Sequence, residues 1–185
     1  MTEAGRGSAG GARGVQQYFL TDDGTYPNNR ALPVLIYRGA FASPEDGSLA
    51  AAIEAVFTRH TWGHGWRNGI FGFHHYHSTA HEALGCYRGW ARAQLGGPEG
   101  PVVTIRQGDC IVLPAGTAHK GLDASTDFRV VGRYPDGQDF DMNEGKPGER
   151  PRADANIAQV SLPQADPVQG IEGPLARAWG LASAR

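Results

Sequence analysis

At 185 residues, with 27 glycines and 12 prolines, the chain is long enough for one well-buried domain and favours short strands joined by tight turns. Its net charge of −2 and its scattered basic residues argue against a nucleic-acid partner or an anionic membrane surface. No run approaches the roughly 20 apolar residues of a membrane span, and Cys86 and Cys110 lie in apolar runs typical of buried, reduced thiols. We therefore expect a cytoplasmic protein.

The first part of the chain predicts a tail followed by packing elements. Residues 1–14 are rich in Gly, Ala and Ser, so they bury too little apolar surface to offset their ordering entropy, and we expect a disordered tail. Residues 15–68 are predicted to supply strands and a helix that pack on the main body of the fold. Short strands are expected at 18–20 and 34–37, each bounded by turn residues.

A helix is predicted next. Ser43 followed by Pro44 is a helix-start pattern, with Ser48 as an alternative N-cap because Gly47 interrupts the first turn. Apolar residues then recur on one helical face, which predicts packing on a sheet. The members of this stripe are Leu49, Ile53, Val56 and Phe57.

The segment 61–68 permits two interpretations. It can form one wall of a pocket, in which Trp66 supplies an apolar face and Arg67 binds a carboxylate or phosphate. It can equally be a packed loop that does no chemistry.

A histidine-rich run at 69–82 carries the strongest functional signal. On a strand, His75 and His77 point to the same face and can place two imidazole nitrogens on one metal ion. Glu82 lies five residues after His77, an odd offset that requires a bend or bulge near 78–80 to return it to that face. On an unbroken strand His81 would take this place, so it stays an alternative ligand or a base.

Further strands and a second histidine site follow. Strands are predicted at 83–88, 90–95 and 102–105, with a hairpin loop at 96–100. The run from Gly108 then ends in the turn Pro114-x-Gly116 and presents His119, which completes a candidate site of three histidines and one glutamate. The last strand is expected at 128–134, before a long polar segment at 141–175 and one helical turn at 175–179.

Two spaced motifs resemble those of the cupin superfamily. The first is matched at every fixed position by Gly69, His75, His77, Glu82 and Gly89. The second is matched in large part by Gly108, Pro114, Gly116 and His119, with Asp123 where an Asn is usual. The chain resembles a bacterial branch of small single-domain cupins that has no assigned reaction.

The resemblance implies an all-β fold, the cupin-type double-stranded β-helix or jelly-roll barrel, with the amphipathic helix packed outside. The barrel core with both motifs would be 69–134, and 135–185 would be an extension that wraps the barrel, so that 15–185 form one domain. The resemblance also implies His75, His77, Glu82 and His119 as ligands of one divalent transition metal, which can be Fe, Mn, Ni, Co or Zn.

The sequence leaves two classes of function open. An enzyme would act on a small oxygenated molecule by dioxygenase or isomerase chemistry, with His81 and Lys120 as catalytic candidates. A binding module or sensor for a sugar or other small molecule would instead use a structural metal. The pocket is predicted to include Trp66, Arg67, Phe73 and Asp123, and by analogy the protein is expected to be a homodimer that binds neither nucleic acid nor membrane.

Overall fold

The computed structural model describes residues 14–181, so all of the predicted tail except the exposed Gly14 lies outside the described residues. Within them the strands are β1 (Gln16–Tyr18), β2 (Val34–Tyr37), β3 (Trp62–Asn68), β4 (Glu82–Arg88), β5 (Trp90–Leu95), β6 (Val102–Arg106), β7 (Cys110–Leu113), β8 (His119–Ala124) and β9 (Arg129–Pro135). The helices are α1 (Leu49–Arg59), α2 (Arg152–Ile157) and α3 (Pro174–Ala178).

The strands, which are short as the composition predicts, form two antiparallel sheets. The larger sheet has six strands in the order β1-β2-β7-β4-β9-β3, and the smaller has three in the order β6-β5-β8. The first two strands extend the larger sheet, but β1 lies two residues earlier than predicted. Residues 62–68 form an edge strand of this sheet, so the loop interpretation of that segment is wrong.

The main core lies between the two sheets and follows from strand alternation. On β4, Leu84 and Cys86 face the smaller sheet, and Ala83 and Gly85 face the opposite side. Gly85 is required for close packing of α1, because a Cβ at this position would lie 2.6 Å from Cγ2 of Ile53. The larger sheet therefore separates an inner core from an outer one.

The outer core is built by the amphipathic helix. Helix α1 begins at Leu49, and the hydroxyl of Ser48 caps it by accepting a hydrogen bond from the N–H of Ala51. Ser43 is therefore not the N-cap, and the alternative start at Ser48 is correct. Ile53 and Phe57 are fully buried against the sheet, as their helical spacing predicts.

The C-terminal segment is ordered by buried polar contacts despite its lack of sequence periodicity. Asp166 is fully buried and accepts hydrogen bonds from the Tyr37 hydroxyl and from three backbone N–H groups, those of Val168, Gln169 and Leu175. Helix α3 occupies the predicted closing turn to within one residue. Both cysteines are buried and free, and no helix within residues 14–181 is long and apolar enough to cross a membrane.

Arg150 links the segment after β1 to helix α2 and gives an acid-sensitive contact. Its guanidinium donates to both carboxylate oxygens of Asp22, at 2.8 and 2.6 Å, and also binds Asp154. The bonds from Arg150 lower the pKa of Asp22 from 3.8 to about 2. The ionised carboxylate is therefore favoured in the folded state, and its contribution is present above pH 4 and is lost as the pH falls towards 2.

We expect Asp22→Asn to lower the free energy of unfolding by about 1 kcal/mol at pH 7, a value reduced for the partial exposure of the pair. The difference from wild type should shrink between pH 4 and pH 2, as measured by urea denaturation at each pH. Glu99→Gln, at an exposed position of the hairpin loop at 96–100, is the control. A difference that stays constant down to pH 2 would contradict the assignment.

Candidate metal centre

The first two histidines are placed by short backbone bridges that replace the predicted continuous strand. The backbone of His75 exchanges two hydrogen bonds with that of His119, at 3.1 and 3.0 Å. Tyr76 pairs instead with Asn143, so its side chain turns away while His75 and His77 share a face. The alternation inferred from the sequence therefore holds although these residues belong to no extended strand.

Each of the three imidazoles is oriented by a backbone carbonyl. The Nδ1 atom of His75 lies 3.2 Å from the carbonyl oxygen of Phe73, and that of His119 lies 3.0 Å from the carbonyl oxygen of Thr117. Nδ1 of His77 contacts the carbonyl oxygen of Asp141. Since a backbone carbonyl can only accept a hydrogen bond, the proton of each neutral ring lies on Nδ1 and the lone pair is left on Nε2.

The oriented rings converge. One nitrogen from each of the three buried histidines lies within 4.8 Å of those from the other two. The Oε2 atom of Glu82 lies 3.4 Å from Nε2 of His119 and 3.6 Å from Nε2 of His77. Bends at Ser78 and Thr79 return Glu82 to this face, as the odd offset requires.

The two oxygens of Glu82 have different partners. Oε1 accepts a hydrogen bond of 3.0 Å from the Tyr134 hydroxyl, which in turn accepts one of 2.7 Å from Nε1–H of Trp66. Oε2 is buried and makes no hydrogen bond. A buried carboxylate oxygen without a donor is costly in an apolar interior, so this atom needs a cationic partner.

The charge states suit cation binding. Burial, followed by the nearby His119, lowers the pKa of His75 to about 3, which keeps its imidazole neutral. Burial opposes ionisation of Glu82, but the adjacent imidazoles of His77 and His119 outweigh it and hold its pKa well below the usual range. The pKa of His77 is raised because Glu82 outweighs the cost of burial. The buried carboxylate thus acts as an anion that a positive charge must balance.

These residues fit a metal ion. Three imidazole nitrogens and one carboxylate oxygen form a donor set that suits Mn, Fe, Co, Ni or Zn, and donor type does not select among them. The free Nε2 lone pairs and the unpartnered Oε2 of Glu82 face one region. This buried group could therefore hold a single divalent ion.

A cavity of about 170 Å³ opens beside the donor set. Trp66 forms one wall by lying against Gly132, where a Cβ would come within 2.5 Å of its ring. Phe140 stacks on Tyr134, with ring centroids 4.6 Å apart. The apolar or aromatic residues of the lining are Trp66, Ile70, Phe71, Leu84, Tyr134, Phe140 and Met142.

Comparison with known proteins identifies a family. No family model matches the chain. It is 42% identical over 167 residues to the uncharacterized protein YjlB of Bacillus subtilis (strain 168), and the match spans 90% of this chain and 98% of YjlB. The chain belongs to the YjlB family.

Solved structures similar to this YjlB-family chain include two cupin-fold proteins. A DUF861 family protein from Thermotoga maritima is 18% identical with a TM-score of 0.33, covering 55% of this chain and 98% of its own. The dTDP-6-deoxy-D-glucose-3,5-epimerase RmlC from Legionella pneumophila Philadelphia 1 is 15% identical with a TM-score of 0.36, covering 66% of this chain and 72% of its own.

The predicted pocket residues of the YjlB-family chain separate into two groups. Trp66 lines the cavity. Phe73 stacks on Phe71 near the opening, with its ring 5.6 Å from that of His75, but it is half exposed and does not line the cavity. Arg67 and Asp123 lie elsewhere.

The placement of Arg67 and Asp123 corrects the sequence-based assignment. Arg67 points to the outer side of β3, where it forms two hydrogen bonds with Glu54, at 2.8 and 2.6 Å. Asp123 pairs with Arg92 at 3.2 Å on the exposed face of the smaller sheet. Strand alternation explains the first error, because Trp66 and Arg67 are neighbours on one strand and must face opposite ways.

The two catalytic candidates also face away from the cavity. Nδ1 of His81 accepts a hydrogen bond of 3.0 Å from the N–H of Ala115, and its ring packs against Trp179. Burial lowers the pKa of His81 to about 4. Lys120 follows the inward-facing His119 on β8, so its side chain lies on the other face of that strand. The structure thus places Glu82, and not His81, with the three histidines.

Sequence reasoning missed the walls contributed by the last strand and the segment that follows it. On β9, Tyr134 lies four residues after the inward-facing Val130, so both side chains point to the same face of the strand. This alternation could have identified Tyr134 as a wall of the cavity. Phe140 and Met142 alternate with polar residues and both line the cavity. Asp141, between them, binds the backbone N–H and hydroxyl of Ser78, which no local pattern indicates.

Proposed function

We propose that this chain is a metal-dependent oxygenase of cupin type, with its two sheets as the halves of a jelly-roll barrel. His75, His77, Glu82 and His119 would hold one divalent ion, and a small oxygenated molecule would bind in the adjoining cavity. One observation carries this proposal. Three buried imidazoles have their Nδ1 atoms bound to carbonyls, and an unpartnered carboxylate oxygen faces their free Nε2 atoms.

The cavity favours oxygenation over isomerisation. Removal of a proton next to a carbonyl needs a base within reach of the substrate. Apart from the proposed ligands, Tyr134 is the one titratable side chain among the described residues that line the cavity. Burial and then the charge of Glu82 raise its pKa, so the hydroxyl stays protonated. His81 and Lys120 face other parts of the structure.

The protein's own residues have distinct parts in such a reaction. Tyr134 holds Oε1 of Glu82 so that Oε2 faces the histidines. Trp66 and Phe140 bind the body of the substrate and exclude water from the reacting atoms. A bound iron or manganese ion would supply Lewis acidity and one-electron redox chemistry toward dioxygen. Both oxygen atoms would enter the product, so no separate reductant is needed.

The test combines metal analysis with oxygen uptake. We expect about one ion per chain after isolation or after anaerobic loading with Fe, Mn, Co, Ni or Zn. The Fe or Mn form should consume dioxygen with a member of a panel of small oxygenated molecules. Failure to take up any of these ions would overturn the proposal. Stoichiometric metal with tight ligand binding but no conversion would favour the binding-module alternative.

Tyr134→Phe should weaken metal binding without removing a ligand. The variant loses the bond to Glu82 and leaves Nε1–H of Trp66 without its acceptor. Loss of such a supporting bond typically lowers metal affinity about 10–100-fold, which competition with a chelator can measure. Tyr87→Phe, a partly exposed tyrosine on the outer side of β4, is the control. Equal affinities of Tyr134→Phe and wild type would contradict the role of Tyr134.

Assembly as a homodimer stays a prediction. Strands β1 and β3 are the edges of the larger sheet, and β6 and β8 are those of the smaller. Exposed edges can pair with a second copy. Light scattering should give twice the chain mass of 19.7 kDa, and a monomeric mass would contradict the prediction.

A further inference from the structure

The dimensions of the cavity suit about one ring of a bound molecule. Its volume is about 170 Å³. A dry apolar cavity of roughly 150 Å³ accommodates a benzene molecule in other proteins. A six-membered ring with one or two small substituents therefore fills the space, whereas a nucleotide or a disaccharide would extend beyond it.

The walls favour a flat ring. Trp66, Phe71, Tyr134 and Phe140 contribute aromatic surface. The rings of Tyr134 and Phe140 are nearly parallel, with an interplanar angle of 17°, which fixes one wall. Aromatic pairs in stacked or edge-to-face arrangements gain about 0.5–1.5 kcal/mol beyond their buried area, so an aromatic ligand is favoured over a saturated one.

No cationic side chain among the described residues lines the cavity. Arg67 and Arg133 both bind Glu54 on the outer side of the sheet. A carboxylate or phosphate pressed against the buried Leu84 would lose its hydration without gaining a partner, which is strongly unfavourable. The part of a bound ligand that contacts the cavity walls must therefore be uncharged.

The floor of the cavity sets the remaining requirement. It is formed by the three imidazoles and Glu82, the proposed ligands of the ion. We propose that the site binds an uncharged, single-ring aromatic molecule whose oxygen donor, such as a ring hydroxyl group, faces this floor. Only the placement of the ligand's oxygen donor at the ion rests on the proposed function. The size, flatness and neutrality of the ligand follow from the cavity walls.

The test uses 4-methylphenol and two matched probes on metal-loaded protein at pH 7. The probe 4-hydroxybenzoate keeps the ring and hydroxyl but carries a charge, and 4-methylcyclohexanol keeps the size but is not flat. By calorimetry or ligand-observed NMR, 4-methylphenol should bind at least about tenfold more tightly than either. Equal or tighter binding of 4-hydroxybenzoate or of 4-methylcyclohexanol would overturn the inference.

Two variants at exposed positions test the walls without threatening the core. Phe140→Ala should weaken 4-methylphenol binding about tenfold with unchanged metal content, whereas Phe19→Ala, an exposed phenylalanine elsewhere, should not. Met142→Arg places a cation at the wall and should strengthen binding of 4-hydroxybenzoate about tenfold. Absence of both effects would refute the assigned walls.

Metal content is measured on the same samples, which separates the two proposals. A protein that holds its ion and prefers the charged probe refutes the substrate class alone. A protein that takes up no ion refutes the metal centre and, with it, the placement of the ligand's oxygen donor at an ion.

Discussion

Replacement of both His75 and His77 by Ala is expected to abolish stoichiometric metal binding. The pair supplies two of the four proposed donors, and each nitrogen is already oriented by a carbonyl in the folded protein. Loss of a residue that merely supports a ligand costs about 10–100-fold in affinity, so loss of two ligands should cost at least about 10⁴-fold. Elemental analysis after gel filtration should find less than about a tenth of the wild-type metal.

Thermal unfolding gives an independent measure of the same loss. An ion at 1,000 times its dissociation constant stabilises the folded state by about 4 kcal/mol, so a chelator should lower the midpoint of wild type and leave the double variant unchanged. His75→Gln with His77→Gln keeps more of the buried volume and guards against misfolding. His64→Gln, which removes an exposed imidazole that packs on Tyr134 but is not among the proposed ligands, is the matched control. Retention of a full equivalent of metal by the double variant would rule out the proposed ligands.

Asp166→Ala is expected to produce the largest loss of stability. The carboxylate is fully buried, and its removal leaves the Tyr37 hydroxyl and the N–H groups of Val168, Gln169 and Leu175 without their acceptor. Unpaired buried groups of this kind cost about 1–3 kcal/mol each, but partial rehydration reduces the sum. We expect a decrease of about 3–5 kcal/mol in the free energy of unfolding, measured in urea.

Two milder changes at the same place calibrate this result. Tyr37→Phe removes one bond and should cost about 1 kcal/mol. Asp166→Asn keeps Oδ1 as an acceptor but places an amide group near the N–H of Leu175, so its effect should be intermediate. A loss below about 1 kcal/mol for Asp166→Ala would show that the bonds contribute little.

Short sequence patterns correctly predicted the parts of the fold that depend on interactions between residues close together in the chain. The period-two spacing of His75 and His77 placed both imidazoles on one face, although they lie in short bridges. The spacing of the apolar stripe identified helix α1, and the run 96–100 identified the hairpin that joins β5 and β6. In each case the outcome depends on side chains within a few residues of one another.

The remaining site features depend on contacts between distant residues. Glu82 reaches the histidines because Asp141, about sixty residues later, fixes the bend at Ser78. The sequence did not predict strand β3 because the strand contains glycines, which are weak strand formers. The close packing of β3 against β9 requires them. A Cβ at Gly65 would lie 1.9 Å from the carbonyl oxygen of Gly132. Without that strand the opposite directions of Trp66 and Arg67 could not be inferred.

The carbonyl of Asp141 that orients His77 has a consequence for biosynthesis. His75, His77 and His119 leave the ribosome well before residues 140–142. Until that later stretch has docked, the His77 ring lacks its Nδ1 acceptor and the cavity lacks two of its walls. A nascent chain therefore exposes its imidazoles before the His77 ring can be oriented, and the centre is complete only once residues 140–142 have docked.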